Sequence, residues 1–143
     1  MTVARILAAK GGDVVTIQPH RTIAEVAAML AEKRIGAVVV AGADGTVHGI
    51  VSERDLVRAI AQDGPAALSH AVTRHMTARV VTTSRHATVR AVMEQMTEGR
   101  FRHVPVLEHG RLAGLISIGD VVKSHIDEIE TEHRAMREYI ATA

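Results

Sequence analysis

Residues 49–57, GIVSERDLV, return as residues 114–122, GLISIGDVV. Both phrases run glycine, two aliphatics, serine, two variable positions, aspartate and then apolar residues. The glycine and aliphatics read as the end of a strand, and the residues after the aspartate as the start of a helix. Ser52 and Ser117 therefore stand at strand-to-helix junctions, each followed by an acid, Asp55 and Asp120. A phrase that keeps its polar letters while the others drift predicts a duplicated unit.

The duplication extends upstream. Ile23, Val26, Ala27 and Leu30 take the spacing of one helical face, and Val89, Val92, Met93 and Met96 repeat it 66 positions later. Thr22 and Thr88 precede these helices as N-caps, with Glu25 completing a capping box in the first copy. Each helix leads to an apolar run, IGAVVV at 35–40 and FRHVPV at 101–106, and then to a glycine turn, GADG at 42–45 and EHG at 108–110. An X-Gly turn between apolar runs predicts a β-hairpin. A β-branched run precedes each helix, DVVTIQP at 13–19 and RVVTTSR at 79–85. The unit thus reads strand, helix, strand, strand, helix, written twice. The offset slips from 66 to 65 at the hairpin turn, where repeats diverge most easily. Gly64-Pro65 stops the last helix of the first copy, and Ser69 is placed to cap a short helical turn running to Met76. The expected division is 1–66, 67–126 and a helical extension over 127–143, in an α/β fold.

Composition narrows the function. A chain of 143 residues buries about two-thirds of its unfolded surface, so two small units sharing a core are feasible. Phe101 and Tyr139 are its aromatics, so Val, Ile, Leu, Ala and Met must build that core. A net charge of +1 with interspersed signs gives no field for nucleic acid or an anionic membrane, and base-stacking platforms are lacking. The absence of cysteine removes disulfides, thiolate chemistry and cysteine zinc sites. The short, interrupted apolar run around Arg5 and Lys10 fits neither a signal peptide nor a membrane span, so the expected location is the cytoplasm.

The repeated Ser-x-x-Asp has two readings. Serine at the N-cap with an acid at the third helical position satisfies free amides and suits the helix dipole. A helix N-terminus at a strand end is equally a site for anions. A serine hydroxyl can donate to phosphate, a carboxylate can accept from ribose hydroxyls, and Gly49 and Gly114 would leave backbone room for a ligand. Capping would be duplicated along with the rest, so repetition does not separate the two readings.

The doubled order of IGAVVV or RHVPV, a glycine turn and G-h-h-[ST]-x-x-D resembles a tandem pair of CBS domains, the stand-alone Bateman module, over about Val3 to Ile126. That resemblance implies two α/β units packed sheet to sheet about a pseudo-twofold axis. It also implies composite adenine-nucleotide clefts between them, taking AMP, ADP, ATP, NAD or S-adenosylmethionine. Carried over, one cleft joins Gly12, Val14, Ile35, Gly36 and Ala37 to Ser117 and Asp120. The other joins Thr77, Val80, Phe101, Arg102 and His103 to Ser52 and Asp55. The aspartates would hold ribose, the serines ribose or phosphate, and the strand residues adenine. Arg54, Arg102 and His103 all fall to the Ser52/Asp55 cleft, which is therefore expected to take the phosphate-bearing ligand more tightly.

After Asp120 the chain runs to Ala143 without Pro or Gly. Val122, Ile126, Ile129, His133, Met136 and Ile140 form a stripe close to a coiled-coil seam, which favours a homodimer contact over a helix folded back on its own domain. The nine histidines show no ligand spacing on a helix, so no metal site is expected. His48, Ser52 and Asp55 lack a nucleophile-elbow context, the second copy has Ala113 where His48 stands, and Lys10-Gly11-Gly12 reads as a helix stop. The sequence points to a non-catalytic, nucleotide-sensing regulatory module acting on a protein partner not named by its residues. The alternative is a structural dimerisation protein with vestigial clefts.

Overall fold

The computed structural model describes residues 1–142. Thr22 and Thr88 cap as their sequence suggests: the amides of Glu25 and Ala91 donate to their hydroxyl oxygens at 3.2 and 3.1 Å. They open α2 (Ile23–Lys33) and α4 (Val89–Gly99). Each helix ends on an arginine in the left-handed region, Arg34 and Arg100, which turns the chain into its hairpin. The hairpins are β2 (Ala37–Ala41) with β3 (Val47–Ser52) and β4 (His103–Glu108) with β5 (Arg111–Ser117). Both carry a register shift at equivalent places, Val40/Ala41 and Val106/Leu107. From them run α3 (Glu53–Asp63) and α5 (Ile118–Thr142). The amide of Glu53 donates to Gly36 O and that of Ile118 to Arg102 O, the same bond drawn twice.

The copies differ at their first strand. β1 (Thr16–Ile17) pairs parallel to β2, giving a three-stranded sheet β1-β2-β3. The corresponding stretch 79–85 makes only an isolated bridge, Thr83 to Val106, and β4-β5 remains two-stranded. The strand expected there is corrected to a single bridge, and the reason is covalent. In the first copy the Val39 amide donates to Val15 O. The equivalent donor in the second copy is Pro105, which has no N–H, so the ladder cannot lengthen.

Two cores form, and each takes a segment from the opposite half of the chain. α2, β1, β2 and β3 bury Ile23, Val26, Leu30, Val38, Val40 and Val51 around Val72, which lies beyond the first copy. α4, β4 and β5 bury Val92, Val104, Val106 and Ile116 around Val3, Ile6 and Leu7 from α1 (Val3–Lys10). Backbone bonds fix both exchanges: Val3 N to Ala87 O at 3.0 Å, and Val72 N to Arg21 O at 2.7 Å. The chain 64–74 folds as two 3-10 turns, Gly64–Ser69 and Val72–Arg74. Ser69 closes the first turn, donating to Ala66 O, and does not cap a following helix as expected. Gly11 and Gly64, both at positive φ, stop α1 and α3 as their positions suggested.

The duplicated glycines do not leave room for a ligand, which corrects the expectation. A Cβ at Gly49 would lie 2.6 Å from Met76 Sδ and 2.7 Å from Thr77 O, and one at Gly114 would lie 2.5 Å from Leu7 Cδ2. The space is filled by the exchanged segments. Gly49→Ala is expected to cost about 1–3 kcal/mol in chemical denaturation, because a backbone carbonyl must move. Gly114→Ala should cost less, since only a leucine side chain faces it.

α5 begins as part of the body, with Val121 and Ser124 buried. Val122, Ile126, Ile129, Met136 and Ile140 then run exposed along it, from 48% to 68%. The expected stripe is present and uncovered. Ala143, the last residue of the expected extension, lies outside the described residues. No helix among the described residues is long and apolar enough to cross a membrane.

Candidate functional site

Both serine–aspartate pairs are capping pairs in fact. The Ser52 amide and hydroxyl donate to Asp55 Oδ2 at 2.8 and 3.1 Å. The Ser117 amide donates to Asp120 Oδ2 at 2.8 Å, and the Asp120 amide donates back to Ser117 Oγ at 3.1 Å. Capping accounts for the duplicated letters but not for the surroundings, which differ between the two junctions.

Around the first junction is a cavity of about 890 Å³, within the range of small-ligand sites. Ser52, Arg54 and Asp55 line it from the first copy, and Thr77, Val80, Phe101, Arg102 and His103 from the second side. Every residue that the resemblance assigns to this cleft thus lines one cavity. Arg58, Arg79 and Arg100 join them, outside the residues that the resemblance names. Arg58 lies one turn along α3 from Arg54 and was legible by that spacing; Arg79 and Arg100 converge only through the fold. Five guanidiniums and one imidazole thus line the cleft beside two acids, Glu53 and Asp55, which gives it an excess of positive charge. Both bonds to Asp55 fall on Oδ2; Oδ1 accepts none among the described residues.

The second cleft is smaller, about 360 Å³. Val14, Ile35, Gly36, Ala37 and Ser117 line it as expected, together with Lys10. Gly12 and Asp120 do not belong to the lining. A Cβ at Gly12 would sit 3.0 Å from Ala113 O, so its α-carbon packs on β5. The Asp120 carboxylate is held by Lys10 Nζ at 2.7 Å, and the same ammonium donates to Leu115 O at 2.8 Å. Lys10, read from sequence as part of a helix stop, thus engages the acid that the resemblance assigns to ribose.

The charges follow. Burial raises the Asp120 pKa, but the bonds from Lys10 and Ser117 outweigh it and hold the carboxyl below its ordinary 3.8. His103, which lines both cavities, is pushed below 6.5 by burial, with Lys10 and Arg102 adding and Asp120 and Glu53 opposing. Because the folded value is depressed, the unfolded chain takes that proton more readily, and His103 subtracts stability as pH falls below 6.5. An anion in the larger cleft favours the imidazolium. The ratio of wild-type to His103→Gln affinity for a phosphate-bearing ligand should therefore grow as pH falls below 6.5. Calorimetry of both proteins across that range checks this, and a ratio flat with pH would contradict it.

Comparison with known proteins identifies the family. The CBS domain model matches twice, over residues 6–62 and 71–127. A crystal structure of a CBS-domain containing protein from Agrobacterium tumefaciens superposes with a TM-score of 0.85 at 54% identity, covering 87% of this chain and 99% of that one. A CBS domain protein from Pyrobaculum aerophilum, solved in complex with AMP, gives a TM-score of 0.75 at 30% identity, over 84% of this chain and 89% of the other. A mitochondrial CBS domain-containing protein of Arabidopsis thaliana is 29% identical over 97% of this chain and 71% of its own length. The chain belongs to the CBS domain family and carries two such domains in tandem.

Proposed function

We propose that this protein is a regulatory module that binds an adenine nucleotide in the larger cleft and performs no chemistry on it. The observation that carries the reading is the convergence of Asp55 with five arginines in one cavity of about 890 Å³. Asp55 suits a ribose diol, the guanidiniums suit phosphate, and Val80 and Phe101 offer apolar surface to a base. The Pyrobaculum relative, solved with AMP, supports that ligand class. Ser52 is committed to Asp55 and has no histidine as its hydrogen-bond partner, which argues against a nucleophilic role. Residues of both copies line the cleft, so a ligand binds best when the copies are correctly apposed. At a hundredfold excess over Kd it would add about 2.7 kcal/mol to that arrangement.

Titration calorimetry with AMP, ADP, ATP, NAD and S-adenosylmethionine tests the reading. Saturable binding of at least one of them without turnover supports it. Absence of binding by all five returns the protein to a structural role with vestigial clefts.

The bare stripe on α5 favours a homodimer contact through the C-terminal helix. Its apolar positions lie half to two-thirds exposed, which is unusual for a long helix without a partner. A chain cut after residue 128 should sediment as a smaller species than the full chain in analytical ultracentrifugation. An unchanged oligomeric state would remove the dimer reading.

A further inference from the structure

The linker between the copies carries a second cluster of polar side chains, away from both clefts. Asp63 closes α3, His70 follows the first 3-10 turn, and His75 follows the second. His70 Nδ1 and His75 Nε2 lie 2.9 Å apart, and Asp63 Oδ2 lies 3.8 and 3.7 Å from those two nitrogens. All three donor atoms fall within 4.8 Å of one another. We propose that Asp63, His70 and His75 form a binding site for one zinc-like divalent cation, which clamps the inter-repeat linker to the end of α3.

Geometry and chemistry both support the assignment. Two ligands on a tetrahedral zinc, each about 2.0–2.1 Å from the metal, stand roughly 3.3 Å apart. To reach that value the nitrogen pair opens slightly, the carboxylate is drawn in, and the two imidazoles, now nearly parallel with ring centroids 5.2 Å apart, each turn so that both lone pairs converge on one point. The backbone holding them is already fixed. The His70 amide donates to Ala67 O and its carbonyl accepts from Ile23 N; the His75 amide donates to Val72 O. The donors are sheltered: side-chain exposure is 8% for His75, 19% for His70 and 29% for Asp63. Without a cation the two imidazoles share one N–H between facing nitrogens. A cation replaces that single bond with coordination to both lone pairs and neutralises the adjacent carboxylate. Two imidazoles and a carboxylate suit zinc, with cobalt or nickel as substitutes, whereas magnesium and calcium prefer an all-oxygen shell. Three protein ligands leave a fourth position for water.

The position gives the clamp a consequence. α3 starts at Glu53, beside the Ser52/Asp55 junction, and ends at Asp63. Two residues beyond His75, Thr77 exchanges both backbone bonds with Ile50, and both residues line the larger cleft. A cation at Asp63, His70 and His75 would hold together two elements that wall that cleft.

Histidines spaced along one helix, the pattern that periodicity reveals, do not make this site. The ligands are instead spaced as Asp63-x6-His70-x4-His75 across two 3-10 turns.

The test uses tag-free full-length protein stripped with chelator. Zinc sulfate titration is expected to show one zinc bound per chain, with a rise in Tm that magnesium does not reproduce. Cobalt(II) should bind at the same stoichiometry with the intense visible absorption of a tetrahedral ion. Asp63→Asn, His70→Asn and His75→Asn should each weaken zinc binding by more than roughly tenfold. His20→Asn, at an exposed histidine outside the cluster, should leave it intact. Should His75→Asn fail to fold, the more exposed Asp63→Asn and His70→Asn decide the matter. Zinc uptake that is absent in the wild type, or unchanged in those two variants, overturns the proposal.

Discussion

Leu7→Ala is expected to lower the unfolding free energy by about 2–5 kcal/mol, although Leu7 lies in a short terminal helix more than 80 residues in sequence from the core it serves. Its side chain is 3% exposed and sits directly on the α-carbon of Gly114 in β5. Val3 and Ile6 enter the same core, so the helix cannot slide inward to fill the space without displacing both. The cavity should persist and its full cost should appear in a urea or guanidinium titration. Leu68→Ala, at a leucine 39% exposed, should cost under about 1 kcal/mol by the same measurement. Similar losses for the two would mean that α1 is only loosely docked.

The second large effect separates the two aspartates. Asp55→Ala should weaken binding of a ribose-bearing nucleotide to the larger cleft by roughly tenfold to several hundredfold. The hydrogen bonds lost to this charged acceptor contribute about 1.5–3.5 kcal/mol in all. Asp120→Ala should leave that affinity nearly unchanged. Its carboxylate is engaged by Lys10 and the Ser117 amide and does not reach the lining of either cavity. Calorimetry on both variants, with circular dichroism to confirm folding after loss of the cap, decides the ranking. A strong loss at Asp120 with none at Asp55 would reverse it.

Much of this was legible in the residues because it is local. Thr22, Thr88, Ser52 and Ser117 announce helix starts, since a capping hydroxyl needs only the amides that follow it. Gly11 and Gly64 announce helix ends by their freedom at positive φ. The residues expected at the larger cleft line one cavity; their grouping came from the resemblance to tandem CBS domains, while the duplicated phrase supplied only the strand and helix ends. The second copy's missing strand was readable too, in the absent N–H of Pro105, though its weight emerged only beside Val39.

What sequence periodicity cannot supply is the identity of the surface against which a buried face packs. The repeat, its elements and its turns were determined by short-range chemistry written in the chain itself. The exchange of α1 and Val72 between cores, the pairing of Lys10 with Asp120 and the arrival of Arg79 and Arg100 in the larger cleft were decided by tertiary structure alone. The physical reason is that an apolar stripe specifies burial without specifying a partner. A charged side chain finds its neighbours only after distant segments have been brought within a few ångströms.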